Sequence, residues 1–156
     1  METEKTRLIL NYLTQQGLNP KQDEEGDIQF DYEGQALFIH PVDEDRQLLK
    51  VFGFAWRSDE EPEDEEDDPE LILALQVANI ASAKHDGVKV IALPERLIVV
   101  TSEQFHEPFE TFKSTFTRVL KTLVECTEDV NQMMEEGFED DFDDDDDDDA
   151  FDPESN

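Results

Sequence analysis

Seven consecutive aspartates, Asp143 to Asp149, are the densest set of potential ligand atoms in this chain. A carboxylate run suggests calcium, which takes several hard oxygen ligands. An EF-hand loop, however, needs glycine at its sixth position and glutamate at its twelfth, and no register of this run supplies both. A second acidic cluster, Asp23-Glu24-Glu25-Gly26-Asp27, also fits no calcium loop and reads as a turn before a strand. His40, His85 and His106 are separated by whole elements, with no His-x-x-x-His pattern and no paired cysteines, so they do not indicate zinc. Cys126, the single cysteine, follows the apolar periodicity of Val124 and Val130 and reads as a half-buried core thiol. No Ser-His-acid spacing, glycine-rich phosphate loop or paired Glu-x-x-His motif is present. Carboxylates occur throughout, so no chosen pair points to acid–base work. The reading is of a chain that is not an enzyme and holds no metal and no organic cofactor.

The charge itself is more informative. Asp and Glu number 43 against 12 Lys and Arg, a formal net charge of −31 over 156 residues. Ten of the acids fall between Asp59 and Glu70 and fourteen between Glu135 and Glu154, with no base in either stretch. The other 19 acids and the 12 bases leave a net charge near −7, that of a moderately acidic domain. Counterion release from nucleic acid needs a basic face, so neither nucleic acid nor an anionic membrane is expected as a direct partner. No apolar run approaches the roughly 20 residues of a bilayer span. The polar start, Met1 to Arg7, leads into no signal segment, and one cysteine permits no internal disulfide. A cytoplasmic setting is expected.

These residues must be positioned by a small domain, expected over residues 1–134 with an acidic mobile loop at 57–68, followed by a disordered acidic tail at 135–156. Thr3 to Gln16 reads as a helix: Thr3 caps it, Leu8, Ile9, Tyr12 and Leu13 form its stripe, and Gly17 suits the left-handed position after it. Ile28, Phe30 and Tyr32 alternate with polar residues as in a half-buried strand. Ala36 to Ile39 and Leu48 to Trp56 follow as strands joined by short turns, with Gly53 marking a bulge or a close backbone approach. Asp68-Pro69-Glu70 is a strong helix start. The helix to about Lys84 is apolar almost all round, with Leu73, Val77 and Ile80 on a second side, and a second subunit is the expected cover. Val88 to Leu93 and Leu97 to Val100 make a further hairpin. Phe109, Phe112, Phe116, Val119, Leu120, Leu123 and Val130 then mark a last helix, which Gly137 ends.

Two groups carry alternative readings. Phe52, Phe54 and Trp56 share one strand face by alternation, either as core under a helix or as a platform for an extended peptide. In the tail, Phe138, Phe142 and Phe151 are spaced through acids; the segment is a solvated appendage or a short docking motif.

The segment from Gly17-Leu18 through Asp27-Ile28-Gln29-Phe30-Asp31-Tyr32-Glu33-Gly34 resembles the opening of the YbjN-type domain. Pro69-Glu70-Leu71-Ile72-Leu73, leading into Ala78-Asn79, resembles it too. That group is similar in fold to the bacterial type III secretion chaperones, and the resemblance covers about residues 3 to 133. It implies an α+β fold, helix–three strands–helix–two strands–helix, with an antiparallel sheet packed by helices. It also implies a chaperone-like homodimer that binds an extended segment of a client protein. Leu8, Tyr12, Ile28, Phe30, Phe52, Phe54 and Trp56 are the expected client-binding residues, and Leu73, Val77, Ile80, Leu97 and Val99 the expected dimer interface. A different class of function is an acidic regulator or nucleic-acid mimic, whose Asp run would occupy a basic surface on another protein.

Overall fold

The computed structural model describes residues 3–41, 48–60, 68–105 and 109–137. Residues 61–67 of the expected acidic loop, His106, and the tail from residue 138 onward lie outside that set. Thr3 starts α1 (Glu4–Gln15) by accepting the Thr6 N–H at 3.1 Å. The helix closes with Leu18 N–H on the Leu13 carbonyl and Gly17 N–H on that of Thr14, while Gly17 takes φ +76°. This is a Schellman ending, for which glycine at the left-handed position costs least. Four strands follow: β1 (Lys21–Gln22), β2 (Ile28–Tyr32), β3 (Gln35–Pro41) and β4 (Leu48–Arg57). Next come α2 (Pro69–Lys84), β5 (Lys89–Leu93), β6 (Leu97–Phe105) and α3 (Phe109–Glu136).

The expected element order is present, with one addition. The two-residue β1 pairs Lys21 with Gln29 and Gln22 with Ile28. Its polar residues carry no alternation, so only the turn makes it. Asp23 Oδ1 accepts the N–H groups of Glu25 and Asp27, both at 2.9 Å, and Gly26 sits at φ +93°. The acidic cluster is thus the turn of a hairpin. The six strands form one sheet in the order β1-β2-β3-β4-β6-β5, every neighbour antiparallel.

Register assigns the two faces. Ile28 opposes Ile39, Phe30 opposes Leu37, Val51 opposes Ile39, and Val100 opposes Gly53. This inner face is buried with Ile9 and Leu13 of α1, Ala74, Val77, Ala78 and Ala81 of α2, and Phe112, Phe116, Leu120 and Leu123 of α3. Small residues on α2 let that helix lie close, while the Phe residues of α3 fill the wider space over β2 and β4. α3 is 28 residues long, about 42 Å at helical rise. It ends at Gly137, whose φ is +72° and whose N–H reaches the Met133 carbonyl.

Gly53 marks a close approach rather than a bulge. A Cβ placed there would stand 2.8 Å from Leu37 Cδ2 on the inner face. The bulge lies just beyond, where Phe54 opposes Val99 but Trp56 opposes Ile98. Alternation is broken at Ala55, and Trp56 turns toward the core instead of sharing a face with Phe52 and Phe54. Among the described residues no helix is long and apolar enough to cross a membrane.

Candidate protein-binding surface

No described helix covers the outer face of the sheet, yet much of it is apolar. Phe38 of β3 stands opposite Phe52 of β4, and the two rings stack with centroids 5.3 Å apart at 16°. Phe54 sits edge-on to both, 5.6 Å from Phe38 and 5.9 Å from Phe52. Leu97 and Val99 of β6 and Ile91 and Leu93 of β5 continue the surface, all half-buried by their neighbours alone. None of these seven residues belongs to the core under the helices. Phe54 is 47% exposed. Charge rims the patch on one side: Glu103 lies 3.3 Å from Lys89 and 3.8 Å from Lys50. An uncovered aromatic cluster on an otherwise very acidic protein is the feature that most needs a partner.

The expected client-binding residues do not come together. Ile28 and Phe30 are fully buried on the inner face, because register turns them toward α3. Phe30 lies 6.0 Å from the Phe116 ring. Tyr12 is half-buried in a cluster with Phe109, Phe112 and Phe116, and its hydroxyl donates to the Lys113 carbonyl at 3.4 Å. It ties α1 to α3. Leu8 is 41% exposed on α1, on the helical side of the molecule. Phe52 and Phe54 remain on the outer face, joined by Phe38 in place of Trp56. Phe38 went unrecognised because Ala36 to Ile39 reads as one apolar run; pairing it with Phe52 requires the strand register.

The expected dimer stripe also divides. Val77 is fully buried against the sheet, and Leu73 and Ile80 are half-buried against the core. A buried Val77 cannot meet a second subunit. The side of α2 that faces outward carries Ile72 and Leu75, 52% and 53% exposed. Leu97 and Val99 lie on the outer sheet face, whereas Ile98 and Val100, which alternate with them, are core.

Two polar sites were not anticipated. Arg96, in the β5–β6 turn at φ +64°, is 91% buried, its side chain being 9% exposed. Its Nη2 lies 3.4 Å from Asp68 and 3.1 Å from Glu70, and its Nη1 donates to the Glu60 carbonyl. Ser58 N–H in turn reaches the Arg96 carbonyl at 3.0 Å. One arginine therefore gathers both ends of the acidic connection between β4 and α2, while Asp68 still caps α2 through the Leu71 N–H. The second site is Asp129, held by His85 Nε2 at 2.9 Å and Lys84 Nζ at 3.2 Å. Burial pushes its acidity one way, but the hydrogen bonds and charge of His85 and Lys84 outweigh it and hold the carboxyl below its ordinary value. Cys126 is wholly buried rather than half-buried. Burial, reinforced by the Asp129 charge, pushes its thiol up to about 12. Among the described residues no group of three or more His, Cys, Asp or Glu is placed to hold a metal ion.

No family model matches the chain, and no curated protein matches it. Solved structures do. YbjN of E. coli, proposed to be a transcription regulator, matches with a TM-score of 0.56 and 11% identity, covering 81% of this chain and 89% of that one. An uncharacterized protein from Methanothermobacter thermautotrophicus matches with a TM-score of 0.51 and 14% identity, covering 83% of this chain and 98% of that one. At such identities the likeness concerns the backbone: this chain has an α+β fold of the YbjN kind.

Proposed function

We propose that this chain is a non-enzymatic protein-binding module that holds an extended segment of a basic partner against its uncovered sheet face, in the manner of a chaperone. The observation that carries this reading is the Phe38–Phe52–Phe54 cluster, three aromatic rings within 6 Å of one another and under no described helix. Aromatic anchors supply affinity once desolvated, and the formal charge of −31 selects and steers a cationic partner. Ile72 and Leu75 on the outward side of α2 are the residues for pairing two copies, displacing Val77 from that role. A regulatory role in transcription, as proposed for YbjN of E. coli, would here run through a protein, because 12 bases among 43 acids form no phosphate-binding face.

The test is a pull-down from cytosolic extract using the full chain and the double variant Phe38→Ser, Phe52→Ser, with the mass of each in solution measured alongside. The expected result is a dimer that retains basic proteins in a salt-sensitive way, while the variant keeps its fold and loses them. A monomer retaining nothing, or a variant retaining the same set, would sink the proposal.

A further inference from the structure

Among the described residues, the last four of β6 have a neighbouring strand on one side only. β4 pairs with β6 as far as Leu48 opposite Phe105, whereas β5 stops at Lys89 opposite Thr101. The direction of the backbone groups along that unpaired stretch follows from Ser82 of α2. Its Oγ accepts the Val90 N–H at 2.9 Å and donates to the Val90 carbonyl at 3.4 Å, so both groups of Val90 point away from β6. Val90–Val100 is therefore a non-hydrogen-bonded pair, and Lys89–Thr101 exchanges the ladder bonds. Alternation then turns the N–H and C=O of Glu103 and Phe105 toward the side that β5 does not reach. No described backbone group meets them there.

Beside this open edge lies a cavity of about 250 Å³. Ser102 and Gln104 form its wall on the sheet, Thr115, Arg118, Val119 and Thr122 its wall on α3, and Asp86 and Val88 line it from the α2–β5 connection. Ser102 is buried and accepts from Gln104 Nε2 at 3.0 Å, which holds the amide at the cavity. On the opposite side of the same strand Phe105 is 76% exposed, the most exposed large apolar side chain among the described residues.

We propose that an extended segment of a protein partner adds to this edge as a strand, exchanging backbone hydrogen bonds with Glu103 and Phe105. Strand addition of this kind takes affinity from the main chain and specificity from alternate side chains. The inward side chain enters the cavity and is small, because the hydroxyls of Ser102, Thr115 and Thr122 share its lining with the apolar Val88 and Val119. The next side chain faces outward and is apolar, lying across from Phe105. The flanking residues are basic, since a segment approaching a chain of net charge −31 is favoured by positive charge. The same charge disfavours a second copy as the occupant. This inference rests on the protein-binding reading and assigns the edge at which the segment is seated.

The probe is a synthetic nonapeptide alternating valine with threonine between terminal lysine pairs, alongside the same peptide N-methylated at alternate residues. Binding is measured by fluorescence anisotropy and mapped by amide chemical shifts. The expected result is protection of the Glu103 and Phe105 amides and a loss of about tenfold or more on N-methylation, because backbone pairing is removed while charge is kept. Glu103→Pro removes an N–H that β4 does not use and should weaken binding comparably, whereas Glu103→Gln should change it by less than about threefold. Equal binding of the methylated peptide, or shifts confined to Phe38, Phe52 and Phe54, would overturn the edge assignment and leave the protein-binding reading standing. No saturable binding of either peptide would overturn it as well, and partner capture by the full chain then decides the broader reading separately.

Discussion

Replacing Arg96 by methionine tests whether a single buried arginine holds the acidic connection to the domain. Methionine keeps much of the side-chain length and removes the ion pairs to Asp68 and Glu70 together with the hydrogen bond to Glu60. Hydrogen bonds involving a charged group contribute about 1.5–3 kcal/mol each. Glu70 is 41% exposed, so solvent screening leaves its pair worth a few tenths to about 1 kcal/mol. Asp68 is only 11% exposed, but it keeps the Leu71 N–H in the variant, so its loss is partial. Against these stands the Arg96 Nε, which is buried with no partner among the described residues and whose removal is favourable. The net expectation is a destabilisation of about 2 kcal/mol, lowering the melting temperature by roughly 8 °C for a domain of this size. Urea unfolding followed through Trp56, the only tryptophan, reads the change, with an unaltered m-value as the sign that only stability moved. Arg96→Gly supplies an internal control. It loses the same contacts but relieves the positive φ, so it should be more stable than the methionine variant by about 1 kcal/mol. A methionine variant within about 0.5 kcal/mol of the parent would refute the clamp.

Three further outcomes follow from other sites. Gly53→Ala should destabilise by about 1–2 kcal/mol, since the new methyl meets Leu37 Cδ2 in a full core, and Leu37→Val in the same chain should recover part of that loss in a double-mutant cycle. The Cys126 thiol should resist a maleimide at pH 8 in the native protein and react at once in denaturant, because it is buried and almost wholly protonated at that pH; native labelling at the unfolded rate would contradict the burial. Asp129 has a folded acidity constant below its ordinary value, so its contribution is present above that value and fades as pH falls through the lowered one. Asp129→Asn should therefore be less stable than the parent at neutral pH and approach it in strong acid, as pH-dependent urea titrations would reveal.

Much of the fold is visible in local chemistry. The Thr3 and Asp68 caps, Pro69 at the start of α2, and the glycines at 17 and 137 each act within one turn of chain, and each does in the structure what its residue type implies. What escaped depends on register and on neighbours distant in sequence. Ile28 and Phe30 alternate as a half-buried strand should, but alternation alone does not say which face the helices take. Trp56 follows Phe52 and Phe54 in perfect period two, and one extra residue at Ala55 sends it to the opposite side. α2 is apolar almost all round, so periodicity could not separate the buried Val77 from the exposed Ile72 and Leu75; only the folded core separates them. Arg96 looked like one base among many charges, and only the fold brings Asp68 and Glu70 to it.

Ser82 has a consequence for how this molecule avoids its own kind. A sheet with an apolar face and an open margin is a template for indefinite stacking, and lateral growth must be stopped at both margins. At one margin the terminal strand is two residues long, too short to guide a newcomer. At the other, a lone hydroxyl from a helix occupies the donor and acceptor that a seventh strand would seek at Val90. At Val90, one oxygen atom rather than charge or proline fills the groups a new strand would use. Ser82→Ala would free both groups of Val90 and lengthen the adhesive edge that Glu103 and Phe105 already present.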